Sequence, residues 1–562
     1  MTTYAYEAGR RAWRTVPRAW AWLERVPPVR VLVPAIAVEW AAVAALALTV
    51  RHNGWIYYQG GDQLWYWGSA WLLAHGTMPY ALVGLGWPAA LAPLAGVVGP
   101  NLVSAFPFIA LLDVLVLLPI VVACVYGIAQ RIGGRLFGYW AVLVWLTVPF
   151  IGIKYTDLGY HQKYTELLLP QAFGLTGMAD YPSLVAVVVS IYFCMRVFER
   201  PAMLDALAAG LAGGVAISIK PGSAPFLLGP LLAFLWRRWL PAFPLFLAGS
   251  AAPLAALALW KYRGYGYLPL FHAQGPVRLA AGVVGGGPLS GLHRYLNFDW
   301  AQLHDNLLGI KEHFWSMRVI EWLVLAGLVG LARRSIGAAL LVGGWFAGFV
   351  VVKGTYGGAG ITDGSLFRVM MPSFPAFVLL LASLPLLVPG MPRRLKPPRP
   401  AFTRPSGRTR AALVGAGAVL FGLYPLTLVA VASPLRGPSP QAYEVDQLLN
   451  PVDTAMRLKA SVGSHTVSLV WPAVSQLGGH VIYQVMRTGA PAGGTACTTI
   501  PNSVDRCTFT ATTLGFTRAP RWIDHAPRGH WTYRVGVVAN WLDDQHYGDV
   551  YFISTPAVAR VG

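Results

Sequence analysis

The sequence predicts a polytopic α-helical membrane protein with about eleven transmembrane helices, followed by a C-terminal all-β sandwich. Three observations carry this reading. Of 562 residues, 56% are hydrophobic and only 12% are charged, about half the share in a soluble domain, and the mean hydropathy is +0.52. Apolar stretches recur near the length of about 20 residues needed to cross a bilayer. Beyond about Asn450 the pattern changes to period-two alternation. Together these exclude an ordinary cytosolic enzyme and a disordered scaffold, and the 22 tryptophans suit extensive membrane–water interfaces.

Residues 1–30 bring Arg10, Arg11, Arg14, Arg18, Arg25 and Arg30 before the first apolar run, a cytoplasmic lead-in and not a cleaved signal. Apolar runs then cover 31–50, 103–128, 137–153, 181–197, 204–219, 222–236, 240–259, 319–332, 336–352, 369–389 and 411–433. Residues 81–100 are also apolar but contain Pro88, Pro93 and Pro100, so they are expected to lie along the interface. Runs 204–219 and 222–236 are short and meet at Ile219-Lys220-Pro221-Gly222. The net charge is +20, and most of it sits in alternate short segments: 1–30, 131–135, 196–203, 237–239, 333–335 and 393–410. Lys and Arg favour the cytoplasmic side. The basic balance is therefore a topology signal for a lipid bilayer, with no nucleic acid as partner. An odd number of crossings puts the N-terminus inside and 434–562 outside, in a multi-pass protein of the cell membrane.

On that topology the outer face carries loops 51–102, 154–180, 260–318 and 353–368, the Lys220 turn, and the tail. Loops this long usually have a function. Asp62 is the only acid of the first loop. It precedes a run with helical spacing, so it suits a helix N-cap, and equally a general base at the mouth of a helix bundle. Asp157, His161 and Glu166, spaced by four and five, could hold a divalent cation or pair with Lys154 and Lys163. No cofactor is otherwise implied, and no metal site is assigned. The outer-face cations Lys154, Lys163, Lys220, Lys261, Arg263, Lys353 and Arg368 suit a phosphate, by point charge from Lys and by a planar fork from Arg, or plain interface snorkelling. Glu39 and Asp113 fall within spans, where an ionisable group is functional or bonds neighbouring helices. The absence of a Walker loop and a dinucleotide fingerprint fits an outer-face site without nucleotides.

In the tail, 466–471, 481–485, 532–537 and 550–553 alternate as short strands. This segment resembles a fibronectin type III domain, with Trp471 in an early strand, Tyr483 in the next, and Tyr533 where such folds place a corner tyrosine. Cys497 and Cys507 would then be a local disulfide tying one long loop, since an outer compartment permits disulfides. Trp522, Trp531 and Trp541 could stack on a sugar ring; a stalk or cover is an equal reading.

Further motifs carry a second resemblance. Asp62-Gln63-Leu64-Trp65-Tyr66-Trp67, then Ala70, Leu72, Gly76, Pro79-Tyr80 and Gly86-Trp87-Pro88-Ala89, run in order through the first loop. Met178-Ala179-Asp180-Tyr181-Pro182 opens the fourth span, Gly210…Gly213-Gly214…Ile219-Lys220-Pro221 closes the fifth, and Arg368-Val369-Met370-Met371-Pro372-Ser373-Phe374-Pro375 opens the tenth. The order resembles the GT-C membrane glycosyltransferases, most closely the branch of protein mannosyltransferases and aminoarabinose transferases that uses polyprenyl-phosphate sugars. Gln63 stands where that family often has a second acid.

The resemblance implies transfer of a sugar from a polyprenyl-phosphate donor to a glycan, lipid or protein acceptor at the outer face. It implies Asp62 and Asp180 as catalytic acids. Lys220 and Arg368 would be the donor-phosphate cations, with Lys261 and Arg263 next. Trp65, Tyr66, His272, Asp157, His161 and Glu166 are candidate substrate contacts. Lys220 and Arg368 are expected to converge on one outward cavity with Asp62 across from them. The alternatives are a lipid or glycan transporter, which would depend on Glu39 or Asp113, and a non-catalytic membrane anchor for the sandwich. The expected domains are 1–30, 31–433 and 434–562.

Overall fold

The structure is a computed structural model and describes residues 21–49, 61–79, 81–99, 102–155, 170–173, 175–199, 202–237, 241–271, 277–279, 282–284, 298–312, 320–356, 365–391, 406–434, 455–474, 481–491, 512–539 and 550–562. In chain order the helices are α1 (Val29–Thr49), α2 (Gly61–Ala74), α3 (Gly86–Val98), α4 (Leu102–Leu112), α5 (Leu118–Gly133), α6 (Arg135–Tyr155), α7 (Pro170–Phe173) and α8 (Asp180–Glu199). They continue with α9 (Met203–Ile219), α10 (Leu228–Arg237), α11 (Ala242–Tyr265), α12 (Trp300–Glu312), α13 (Ile320–Arg334), α14 (Ile336–Gly354), α15 (Ser365–Met370), α16 (Phe374–Ala382), α17 (Gly407–Ala418) and α18 (Tyr424–Val431).

Every apolar run of the sequence is largely helical. Among the described residues, six helical stretches are long and apolar enough to cross a membrane: 105–133, 180–198, 242–265, 336–354, 366–387 and 407–431. The chain is thus a membrane protein with several helices capable of spanning, and the expected eleven crossings are met on length and composition by six. Helix α3, within the proline-containing stretch 81–100, has 13 residues. It is about 20 Å long, short of the roughly 30 Å hydrocarbon layer.

Two π turns interrupt the long helices, at Asp113–Leu117 and Val419–Leu423. Each is followed after one residue by a proline, Pro119 or Pro425. A proline ring clashes with the carbonyl four residues back and offers no N–H. The ladder widens by one residue instead: Leu118 N–H donates to Asp113 O, and Tyr424 N–H to Val419 O. Helices α9 and α11 approach closely through small residues. A Cβ on Gly214 would sit 2.8 Å from the Ser250 carbonyl oxygen.

Contacts among the basic residues mark one end of the bundle. Arg135 donates to Glu24 O at 2.9 Å, Arg334 to Ile132 O at 2.9 Å and Arg333 to Leu387 O at 2.7 Å. Arg196 pairs with Asp205 at 3.0 Å. The nearly continuous helix formed by α4, the π turn and α5 has Gly133 at this end, so Leu102 lies at the other.

The C-terminal region builds two sheets from β1 (Lys459–Val462), β2 (Val467–Val470), β3 (Val481–Pro491), β4 (Thr512–Thr517), β5 (Arg521–Asp524), β6 (Gly529–Ala539), β7 (Val550–Ile553) and β8 (Ala557–Val561). One sheet has the order β1-β2-β5; the other runs β7-β6-β3-β4 with β8 also paired to β6, all antiparallel. Period-two alternation places Val467, Leu469, Val485, Tyr533, Val535 and Val537 in their shared core. That core is continuous with Trp65, Trp87 and Phe106 of α2–α4. Thr77–Met78 pairs in parallel with Ser433–Pro434, just past α18. The β region therefore docks on the Leu102 end, opposite the basic end.

Tyr533 Oη donates to Asp524 Oδ2 at 2.7 Å, and Arg487 donates to the same oxygen at 2.9 Å. Trp531 is buried, with the Arg487 guanidinium 4.5 Å from its ring centre, so it offers no open face for a sugar. Cys497, Cys507 and Trp541 lie outside the described residues, as does the expected disulfide.

Candidate functional site

Four of the charged residues singled out in the sequence meet at the Leu102 end of the bundle, and each is placed there by a helix terminus. Asp62 lies in the first turn of α2 and Asp180 begins α8. Lys220 caps the end of α9 in an extended conformation (φ −139°, ψ 101°); Pro221 follows, and a proline disfavours the helical region for the residue before it. Arg368 stands in the last turn of α15. The lead-in to Asp180 is fixed by the first-loop helices. Gly177 N–H donates to Gln63 Oε1 at 3.3 Å, and Trp87 Nε1 donates to Gly177 O at 3.0 Å.

The four side chains form one network. Lys220 Nζ donates to Asp180 Oδ1, and Arg368 Nε donates to Asp180 Oδ2 at 3.4 Å. Arg368 Nη2 donates to Asp62 Oδ2. Side-chain exposure falls from 43% at Asp62 through 21% at Arg368 and 16% at Lys220 to 0% at Asp180. Asp62 is thus the mouth of the network and Asp180 its floor. Lys220 and Arg368 meet on the two oxygens of Asp180. Asp62, however, is not set across a cavity from the cations. Arg368 reaches it directly.

Lys353, in the last turn of α14, joins them. A Cβ on Gly222 would lie 3.1 Å from Lys353 Nζ, and the charges of Lys220 and Lys353 act on each other. Among the described residues no carboxylate pairs with Lys353; its ammonium lies 5.9 Å from the Tyr356 ring centre. Among the described residues the network holds two acids and two cations, and Lys353 adds a third cation beside it. The sequence contains no signal separating this lysine from an ordinary snorkelling one.

Other candidates are placed differently. Trp65 and Tyr66 are buried in the apolar cluster beneath the network. Burial pushes the Tyr66 phenol above its ordinary range, and the negative charge of Asp180 adds to the effect. Lys261 Nζ donates to the carbonyls of Ala81, Leu82 and Val83. Arg263 donates to those of Val429, Ala430 and Ala432, at the C-terminal end of α18. These two side chains fasten α11 to its neighbours, and the carbonyls answer their charge. Asp157, His161, Glu166 and His272 lie outside the described residues. Among the described residues no group of three or more His, Cys, Asp or Glu side chains is arranged to hold a metal ion.

No family model matches the chain, and no curated protein matches it. Among solved structures, the archaeal oligosaccharyltransferase AglB from Archaeoglobus fulgidus, in complex with an inhibitory peptide and a dolichol-phosphate, is similar at 13% identity with a TM-score of 0.35. The match covers 75% of this chain and 58% of that one. A superposition this loose fixes neither a fold family nor a chemistry.

Proposed function

We propose that the chain is an integral-membrane glycosyltransferase that moves a sugar from a polyprenyl-phosphate donor to a glycan, lipid or protein acceptor on the outer face. The observation that supports it most is the graded network at the bundle mouth. It combines a half-exposed carboxylate, a shared guanidinium, a buried carboxylate and two lysines on the interior side. The basic end of the bundle would face the cytoplasm, which puts this mouth and the β region outside.

The acceptor hydroxyl attacks the anomeric carbon, and Asp62 takes its proton. The bond from that carbon to the phosphate oxygen breaks, and the leaving phosphate keeps the electron pair and gains negative charge. Fixed cations stabilise that developing charge. Arg368 holds Asp62 in the free protein; a phosphate arriving at Arg368 and Lys353 competes for the guanidinium and frees Asp62 to act as base. Asp180 stays with Lys220 and positions both cations. The acceptor, the sugar and the role of the β region are left open by these residues.

The test is turnover of lipid-linked sugars by the purified chain in proteoliposomes. Asp62→Asn is expected to abolish transfer while leaving the protein folded. The Arg368→Ala, Lys220→Ala double variant should lose at least a hundredfold, because each removes a charge-assisted contact of about 1.5–3 kcal/mol. Normal turnover by either variant would overturn the assignment.

A further inference from the structure

The two acids of the network are joined twice. Arg368 bonds both side chains, and a second link runs through the backbone beside them. Gln63, next to Asp62 on α2, is fully buried and takes the Gly177 N–H on Oε1 at 3.3 Å. Trp87, in the first turn of α3 and 3% exposed, gives its indole N–H to the Gly177 carbonyl at 3.0 Å. Gly177 lies three residues before Asp180. The backbone between them is tightened by Thr176, whose Oγ1 accepts the Met178 N–H at 3.2 Å. Both backbone polar groups of Gly177 are therefore held by side chains of the first loop, away from water, where an unmade bond is destabilising.

The same helix pair bears on Lys220. Helices α2 and α3 pack on each other, and the segment entering α3 presses on the end of α9. A Cβ on Gly86 would sit 2.8 Å from the Ile219 nitrogen, and one on Gly84 would overlap the Ile219 carbonyl oxygen. Lys220 follows directly. From the other side the Lys220 turn is pinned to α8: Ser223 N–H donates to Lys220 O at 2.8 Å, and the Ser223 and Ser183 hydroxyls are 2.7 Å apart. Asp180 and Lys220 form a fixed floor, and the α2–α3 pair that carries Asp62 is set on it through Gln63 and Trp87. The Arg368 side chain alone, rich in rotamers, would leave Asp62 free to drift.

On the glycosyltransferase reading, on which this rests, we infer that Gln63 and Trp87 are positioning residues. By gripping Gly177 they set the distance from Asp62 to the cations held by Asp180, and so where the attacking hydroxyl stands relative to the leaving phosphate. A misplacement of about 1 Å can lower a rate about a hundredfold. The loss falls on the chemical step more than on donor binding, because Lys220, Lys353 and Arg368 are all kept.

Turnover of polyprenyl-phosphate sugars by the full chain is measured in proteoliposomes, per folded molecule as read by thermal unfolding. Gln63→Met removes the accepting oxygen at similar size, and Trp87→Phe removes the N–H and keeps a ring. Gly177→Ala keeps every polar group and drives a methyl to 3.3 Å from Gln63 Cβ. Each should lower kcat about tenfold or more, with donor KM changed less than about threefold. Gln63→Glu keeps the accepting oxygen and replaces an amide nitrogen that bonds nothing among the described residues, so it should recover most of the loss. Amide exchange across 176–180 should quicken in Gln63→Met and Trp87→Phe. Should Trp87→Phe fail to fold, the Gln63 and Gly177 variants decide. An active wild-type chain with unchanged kcat in Gln63→Met and Gly177→Ala would overturn the inference and leave the transferase reading standing. A loss that Gln63→Glu does not relieve would also overturn it, leaving Gln63 a packing residue. No turnover by folded wild-type chain would overturn the transferase reading, and the inference with it.

Discussion

Replacing Asp180 by leucine leaves Lys220 without its carboxylate in a site where the acid was fully buried and the lysine 16% exposed. Breaking a buried pair from one side typically costs about 3–5 kcal/mol, whereas replacing both partners with apolar groups is often neutral or stabilising. Arg368 keeps Asp62, so most of the loss falls on Lys220. Asp180→Leu should therefore destabilise by about 3–5 kcal/mol. Lys220→Met should cost less, because Arg368 Nε still lies 3.4 Å from Asp180. The double variant should fall well short of the sum, which is the signature of direct interaction in a double-mutant cycle. Lys353→Met should relieve part of the Asp180→Leu loss by removing a second nearby cation. Reversible unfolding in mixed micelles, titrated with denaturing detergent, reads all of these. A double variant whose loss equals the sum of the singles would show that Asp180 and Lys220 do not stabilise each other directly.

Lys353→Ala should weaken use of a polyprenyl-phosphate donor about tenfold or more, chiefly as a raised KM. Gly222→Ala, whose Cβ would meet Lys353 Nζ at 3.1 Å, should act in the same direction more weakly. Burial and the hydrogen bond to Asp524 raise the Tyr533 phenol; above about pH 10 the unfolded chain then releases a proton that the folded chain keeps. Stability of the β region should fall as pH rises past that point, and Tyr533→Phe should flatten the fall in a thermal unfolding series. In intact cells, residues 393–410 should resist added protease while 434–562 are digested, and external labelling within 393–410 would reverse the orientation.

The helical stretches were legible because they rest on composition and length, and the β strands because they rest on alternation. The positions of Asp62, Asp180, Lys220 and Arg368 at one end were legible as helix-terminus motifs. Their pairing was not. Sequence spacing does not say that Arg368 is shared between two acids, because the partners come from helices more than a hundred residues apart. Lys353 looked like any other cation at a helix end, and only its packing against Gly222 separates it. Lys261 and Arg263 looked equally suited to phosphate, but the carbonyls that take their donors belong to distant segments.

Glycosyl transfer from a lipid-phosphate donor is tested most directly by donor consumption. Purified chain in proteoliposomes is incubated with a panel of isotope-labelled polyprenyl-phosphate sugars and a membrane extract as acceptor, and release of polyprenyl phosphate is followed by mass spectrometry. One labelled sugar is expected to pass to an acceptor with matching release of its lipid phosphate, and Asp62→Asn should stop both. Release that is the same with Asp62→Asn, or no release from any donor by correctly folded protein, would rule out transfer that depends on Asp62.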